Sequence, residues 1–150
     1  KDFARTRLLQ ELDELERLLK SGTVIPDGAM TENVYSAMDR IESSWKGIIS
    51  MNITISLSSQ HAFTEKLHNL IAISNESIGN AVRHGIASEV SIFISETQAG
   101  SMRFICLDNG TGPRKGIAGL GTTLYSSIAT NSWSLHQRED GIGSELIIEF

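Results

Sequence analysis

Residues 75–85 read Asn-Glu-Ser-Ile-Gly-Asn-Ala-Val-Arg-His-Gly, and the spacing within them is that of one helix face. Glu76, Asn80 and His84 fall at i, i+4 and i+8, so a carboxylate, a carboxamide and an imidazole stack along one stripe. The opposite side carries Phe63, Leu67, Leu70, Ile78 and Ala81 at helical spacing with one long gap. A helix over 61–84 is therefore predicted. Taken alone, its polar stripe also fits an ordinary solvated face.

Two glycine-rich stretches downstream change that reading. Met102 to Leu107 reads as a strand and runs into Asp108-Asn-Gly-Thr-Gly112. A carboxylate at a strand end, followed by glycines at alternate positions, lets backbone approach a flat ligand closely. The competing reading is a hairpin, since Asn109-Gly110 is a strong hairpin pair. Gly112 and the segment Pro113-Arg-Lys-Gly116 weaken it, because a new strand does not follow at once. Gly116-Ile-Ala-Gly-Leu-Gly121 then precedes a stretch, Thr122 to Thr130, that reads as a helix. Unpaired N–H groups at such a helix start face an anion, although a lone glycine cluster also suits a flexible loop. Its order is not that of a dinucleotide-binding fingerprint.

Composition excludes several classes. The net charge of −5 and the absence of a basic cluster argue against a partner held by phosphate neutralisation, so no nucleic acid is expected. The single cysteine, Cys106, lies in an apolar strand, which leaves no intrachain disulfide and no thiolate metal site. That fits a reducing, cytoplasmic setting. No apolar run approaches the ~18 residues of a membrane span. The chain opens in helical sequence at Lys1 without a methionine, and reads as a fragment.

Residues 1–49 are organised differently. Ala4, Leu8, Leu12, Leu15 and Leu19 form one near-heptad stripe, and Val34, Met38, Ile41, Trp45 and Ile48 form another. Ser21-Gly22 and Ile25-Pro26-Asp27-Gly28 separate them. A helical hairpin follows. Its stripes either pack on the rest of the chain or pair with a second copy, and a homodimer through these N-terminal helices is the expectation. Residues 50–150 form the second region. Ile53, Ile55 and Leu57 alternate with polar residues in a strand; further strands are predicted at 89–97, 102–107, 132–138 and 144–150. With helices at 61–84 and 120–130, this order predicts an α/β (α+β) two-layer sandwich with a mixed sheet and helices on one face.

The three motifs in this order resemble the GHKL ATPase superfamily, whose members include gyrase-type topoisomerases, a heat-shock chaperone, histidine kinases and MutL. Asn75 to Gly85 is similar to the N box, Asp108 to Gly112 to the first glycine box, and Gly119-Leu-Gly121 to the second. Gly141-Ile-Gly-Ser144 is similar to the last, with Ser144 where the family usually has threonine. The nearest subgroup is the catalytic ATP-binding domain of bacterial sensor histidine kinases with a short lid. The resemblance implies a Bergerat-type ATP-binding fold over residues 50–150, with ATP and Mg²⁺ as cofactors.

It also implies roles. Asn80 would ligate Mg²⁺ through its amide oxygen, and Glu76 would orient or activate the attacking group. Arg83 or His84 would contact phosphate, although His84 also suits a helix C-terminus. Asp108 would accept from the adenine amino group, with Gly110 and Gly112 leaving room for the base. Gly119, Leu120, Gly121 and Thr122 would cradle phosphates, and Ser144 would lie near the base. Only six residues separate Gly112 from Gly119, so any lid is short; Arg114 and Lys115 lie in it. His61, His68 and His136 match no ligand pattern, and Trp45 and Trp133 read as packing residues. No histidine occurs in residues 1–49, so a phosphoacceptor is not expected in this chain.

The resemblance thus implies γ-phosphoryl transfer to a histidine elsewhere and relay to a response regulator, in a bacterial protein located in the cytoplasm or forming the cytoplasmic part of a membrane-bound sensor. Two alternatives stand beside it. One is a serine kinase of the anti-sigma-factor type. The other is a non-catalytic nucleotide-binding or dimerisation module, against which the intact Glu76, Asn80 and Asp108 argue.

Overall fold

A computed structural model describes residues 32–113, 120–129 and 132–150. The first element is helix α1, Val34–Trp45. Asn33 starts it: its side-chain oxygen accepts the Ser36 N–H at 3.0 Å, and Ser36 Oγ accepts the Asn33 N–H at 3.0 Å. This reciprocal cap satisfies two donors that a helix start leaves free. Strand β1, Ser50–Ser56, follows, and then helix α2, Leu67–Arg83. Strands β2, Glu89–Glu96, and β3, Met102–Asp108, come next. Helix α3, Leu120–Ile128, and strands β4, Trp133–Gln137, and β5, Ser144–Glu149, complete the chain.

The five strands form one mixed sheet in the order β1-β2-β3-β5-β4. β1 pairs parallel with β2, which requires the crossover that α2 supplies; the other pairs are antiparallel. Register carries the sequence alternation straight across. Ile92 lies opposite Ile53 and Cys106, and Ile148 opposite Phe104. Val90, Ile92, Ile94, Met102, Phe104 and Ile148 form the covered face, with Leu70, Ile73 and Ile78 of α2 packed in the same core. The two-layer sandwich with helices on one face is therefore observed, as are the predicted strands to within two residues.

Two expectations are corrected. The helix predicted over 61–84 begins only at Leu67, after a single 3₁₀ turn at Thr64–Lys66. Phe63 causes the delay. It takes a left-handed φ of 60°, and the bend turns its ring into the core at 9 % exposure. The second correction concerns the stripe Val34, Met38, Ile41 and Trp45. These residues are buried in the same core as α2 and the sheet, so this face is covered within the chain and is not left for a second copy. Helical spacing alone does not tell the two partners apart. At ~1.5–3 kcal/mol for each buried side chain, the stripe is a large part of what holds this layer. The unit so formed spans Glu32–Phe150. The first stripe, Ala4 to Leu19, lies outside the described residues. No helix among the described residues is long and apolar enough to cross a membrane.

Candidate functional site

Glu76 and Asn80 lie in the C-terminal half of α2, and His84 at its end. Asn80 Nδ2 donates to Glu76 Oε1 at 3.0 Å, as the i, i+4 spacing allows. Arg83 folds back along the helix, its Nε donating to the Gly79 carbonyl at 3.1 Å and its Nη2 lying 3.7 Å from Glu76 Oε2. His84 caps the helix through its backbone, with its N–H on the Asn80 carbonyl at 2.9 Å, and its ring is exposed.

Asp108 closes β3 and is only 8 % exposed. Its Oδ1 accepts the Gly110 N–H at 2.8 Å and the Ser144 N–H at 3.3 Å, which fixes the carboxylate plane. The chain after Asp108 is not a hairpin, because β3 pairs with β2 and β5. Asn109 holds the turn instead. Its side-chain oxygen accepts the Ser88 and Glu89 N–H groups at 2.9 and 3.0 Å, and its Nδ2 donates to Ser88 Oγ at 2.9 Å. Thr111 N–H adds a bond to the Gly85 carbonyl at 2.8 Å. The turn is thereby clamped to the end of α2. A Cβ on Gly110 would collide with the Gly85 carbonyl, and one on Gly143 with the Asp108 carbonyl, so both close approaches require glycine.

Between these walls lies a cavity of about 500 Å³, a size suited to a nucleotide-class ligand. Glu76, Asn80, Arg83, His84, Asp108, Gly112, Leu120, Gly121, Thr122 and Ser144 all line it. Gly110 does not; it supports the turn from beneath. Gly119, with Arg114 and Lys115, lies outside the described residues. Ser77, Cys106, Tyr125, Leu135 and Leu146 also line the cavity and were not anticipated. Cys106 and Leu146 were legible only as core residues, and Tyr125 only as a helix residue. Its one signal was position, four residues beyond Gly121 on the same helix face.

The interior is apolar enough to move titrations. Burial pushes the Cys106 thiol up to about 12, against a hydrogen bond from Ser77 and with help from the nearby Asp108 charge. Burial likewise raises the Tyr125 phenol above its ordinary value, opposed by a hydrogen bond with Asn80 and reinforced by the charge of Glu76. Tyr125 packs edge-on against Trp133 at 5.5 Å, and Trp133 Nε1 donates to Ser126 Oγ at 3.1 Å, so Trp133 is a packing residue. Trp45 is one too, its Nε1 reaching Asn75 Oδ1 at 3.3 Å. His61 and His68 are exposed, and His136 pairs with Glu145 at the surface.

The donor set fits an adenine nucleotide with one Mg²⁺. No group of three metal-ligating side chains occurs among the described residues, so those residues alone build no metal cage. Mg²⁺ needs none, since it takes one or two protein oxygens and fills its shell with phosphate oxygens and water. Asn80 offers such an oxygen. The bare Cα of Gly121 lies against the Asn80 and Glu76 side chains, with a Cβ there falling 2.9 Å from Asn80 Nδ2 and 3.0 Å from Glu76 Oε1. Asp108 offers a carboxylate acceptor in the same lining as Cys106, Leu135 and Leu146, as an aminopurine edge needs.

No protein-family model and no curated protein matches the chain. Solved structures do. The ATP-binding domain of PrrB from Mycobacterium tuberculosis superposes with a TM-score of 0.57 at 20 % identity, over 79 % of this chain and 93 % of that one. The Acinetobacter baumannii histidine kinase AdeS gives 0.59 at 15 % identity, over 100 % and 84 %. The blue-light activated histidine kinase of Erythrobacter litoralis EL346 gives 0.57 at 18 % identity; 75 % of this chain matches 40 % of that larger protein. The resemblance read in the N box and glycine boxes is matched at the level of architecture, and the chain has the fold of histidine-kinase ATP-binding domains.

Proposed function

We propose that this chain is the ATP-binding catalytic domain of a sensor histidine kinase, which transfers the γ-phosphate of ATP to a histidine outside this chain for relay to a response regulator. The observation that carries the reading is the Asp108 carboxylate: it lines the cavity, and one of its oxygens is held by two backbone N–H groups. An ionised acceptor fixed in an apolar wall prefers the exocyclic amine of adenine over the carbonyl of guanine. Asn80 supplies a Mg²⁺ ligand, and the bound ion would neutralise phosphate charge during transfer. Glu76, beside it, accepts a proton or hydrogen bond from the attacking group. Arg83, His84 and the start of α3, with Leu120, Gly121 and Thr122, form the phosphate side. Ser144 holds Asp108 through its backbone.

We further propose a cytoplasmic location and a homodimer. With the α1 stripe covered inside the chain, the dimer contact falls to Ala4, Leu8, Leu12, Leu15 and Leu19. Sedimentation equilibrium tests it; a concentration-independent mass of one chain would exclude it.

Phosphotransfer itself is tested with labelled ATP. Residues 1–150 alone should remain unlabelled. A histidine-bearing helical domain from the same protein, added in trans, should acquire acid-labile label and pass it to a response regulator. Acid-stable serine label on a separate protein would instead support the anti-sigma-factor kinase.

A further inference from the structure

The turn between β4 and β5, residues 138–143, is tied to the Asp108 turn by its first side chain. Arg138 Nη1 donates to the Asp108 carbonyl at 3.2 Å, and Arg138 Nη2 donates to Asp140 Oδ2 at 2.7 Å. The other Asp140 oxygen accepts the Ile142 N–H at 3.0 Å. The Arg138 N–H donates to the Gly143 carbonyl at 3.2 Å, and the Gly141 N–H to the Arg138 carbonyl at 2.9 Å. One guanidinium therefore joins the shape of this turn to the main chain at the end of β3.

The turn in return grips Asp108. Gly143 packs its bare Cα on the Asp108 carbonyl, and the next residue, Ser144, gives its N–H to Asp108 Oδ1 at 3.3 Å. Gly112 lies against the same turn, a Cβ there falling 3.4 Å from Gln137 Cδ and 3.5 Å from the Gly143 carbonyl oxygen. Asp108 is thus held at its carbonyl by Arg138 and at its carboxylate by Ser144. Arg138 does not line the cavity, so it acts on a ligand there only through Asp108. With side chains 30 % and 48 % exposed, the Arg138–Asp140 ion pair adds little stability by itself. Its effect is to aim the planar guanidinium fork, which keeps Nη1 on the carbonyl as a single ammonium would not.

We propose that Arg138 is a positioning residue, aimed by Asp140, that holds the β4–β5 turn on Asp108 and so sets the carboxylate that selects adenine. This rests on the nucleotide reading of the cavity. Without the guanidinium, the Ser144 N–H is carried by a turn that contains Gly141 and Gly143, and the carboxylate keeps only the Gly110 N–H as a fixed donor.

Three variants test it. Arg138→Met keeps the aliphatic stem and removes both guanidinium bonds, Arg138→Lys keeps the charge without the fork, and Asp140→Ala removes only the aim. Calorimetry with non-hydrolysable ATP and GTP analogues in Mg²⁺ gives affinity and base preference. Hydrogen exchange at the Ser144 N–H is read by NMR in the nucleotide-free protein. Arg138→Met should lose about 5- to 10-fold in affinity for the ATP analogue and less for the GTP analogue, with exchange at Ser144 accelerated more than in the rest of β5. Arg138→Lys and Asp140→Ala should move both readouts in the same direction by less. Equal losses for the two bases would reduce Arg138 to a stability role and overturn the proposal, as would unchanged exchange at Ser144. If Arg138→Met does not fold, the other two variants decide by the same two criteria. A wild-type titration without adenine-nucleotide binding overturns the cavity reading instead; Ser144 exchange, read without nucleotide, then still reports whether Arg138 holds the turn.

Discussion

Replacing Asp108 by asparagine isolates one atom of the proposed site. In the folded chain, Asp108 Oδ1 accepts from the Gly110 and Ser144 N–H groups at 2.8 and 3.3 Å. An asparagine oxygen can take both bonds, so the backbone around the turn survives. The amide nitrogen then falls where Oδ2 was and points donors at the adenine amine, itself a donor. The variant loses a charge-assisted hydrogen bond, about 1.5–3 kcal/mol, and leaves two donors facing one another. Adenine-nucleotide affinity should therefore fall at least ~10- to 150-fold. Guanine presents a carbonyl at the same position, so the variant's preference should shift toward guanine. Titration calorimetry with non-hydrolysable ATP and GTP analogues reads both effects, and circular dichroism checks the fold. An Asp108→Asn protein that is folded and binds the ATP analogue like wild type would refute the reasoning.

Other outcomes follow from single residues. Ile86 is β-branched, 80 % exposed and held at φ 53°, a left-handed conformation costing roughly 1–2 kcal/mol that asparagine tolerates better; Ile86→Asn should raise Tm by a few degrees in a thermal melt. The Cys106 thiol is raised by burial from 9.0 to about 12, so the folded state holds a proton that the unfolded chain releases. The stability it contributes is fully present below pH 9 and is lost as pH rises toward 12, by up to ~1.4 kcal/mol per pH unit. Urea titrations between pH 9 and 11 should show a shallower decline in Cys106→Ala than in wild type, and equal slopes would contradict the assignment. Ile41 is 2 % exposed inside the core, so Ile41→Ala should cost about 2–5 kcal/mol in urea, independent of protein concentration; a concentration-dependent loss would return this stripe to a chain–chain contact.

What was legible in the residues was chemistry placed at fixed spacing. Glu76 and Asn80 share a stripe because a helix of 3.6 residues per turn puts them there, and the structure joins them by a hydrogen bond. Ile53, Val90 and Phe104 lie on the covered face because strand alternation has no other solution once one face is buried. What was not legible depended on distant partners. Phe63 carries a helix-compatible pattern, and only the space waiting in the core explains its left-handed bend. The stripe Val34 to Trp45 has the same spacing whether it meets α2 or a second chain. Asn109 reads as half of a hairpin pair, and its three bonds to Ser88 and Glu89 exist only because β2 begins beside the turn. Tyr125 lines the same cavity as Asn80, 45 residues earlier in the chain, and only the packing of α3 on the core brings the two together.

On the proposed function, the cavity between α2, α3 and the Asp108 turn takes an adenine nucleotide with Mg²⁺. Isothermal titration of the wild-type chain with non-hydrolysable ATP and GTP analogues, each with and without Mg²⁺, tests it most directly. ATP-analogue binding is expected in the micromolar to millimolar range, roughly −4 to −8 kcal/mol, strengthened by Mg²⁺ and much weaker for the GTP analogue. Equal affinity for the two bases, or no binding of either, would contradict it.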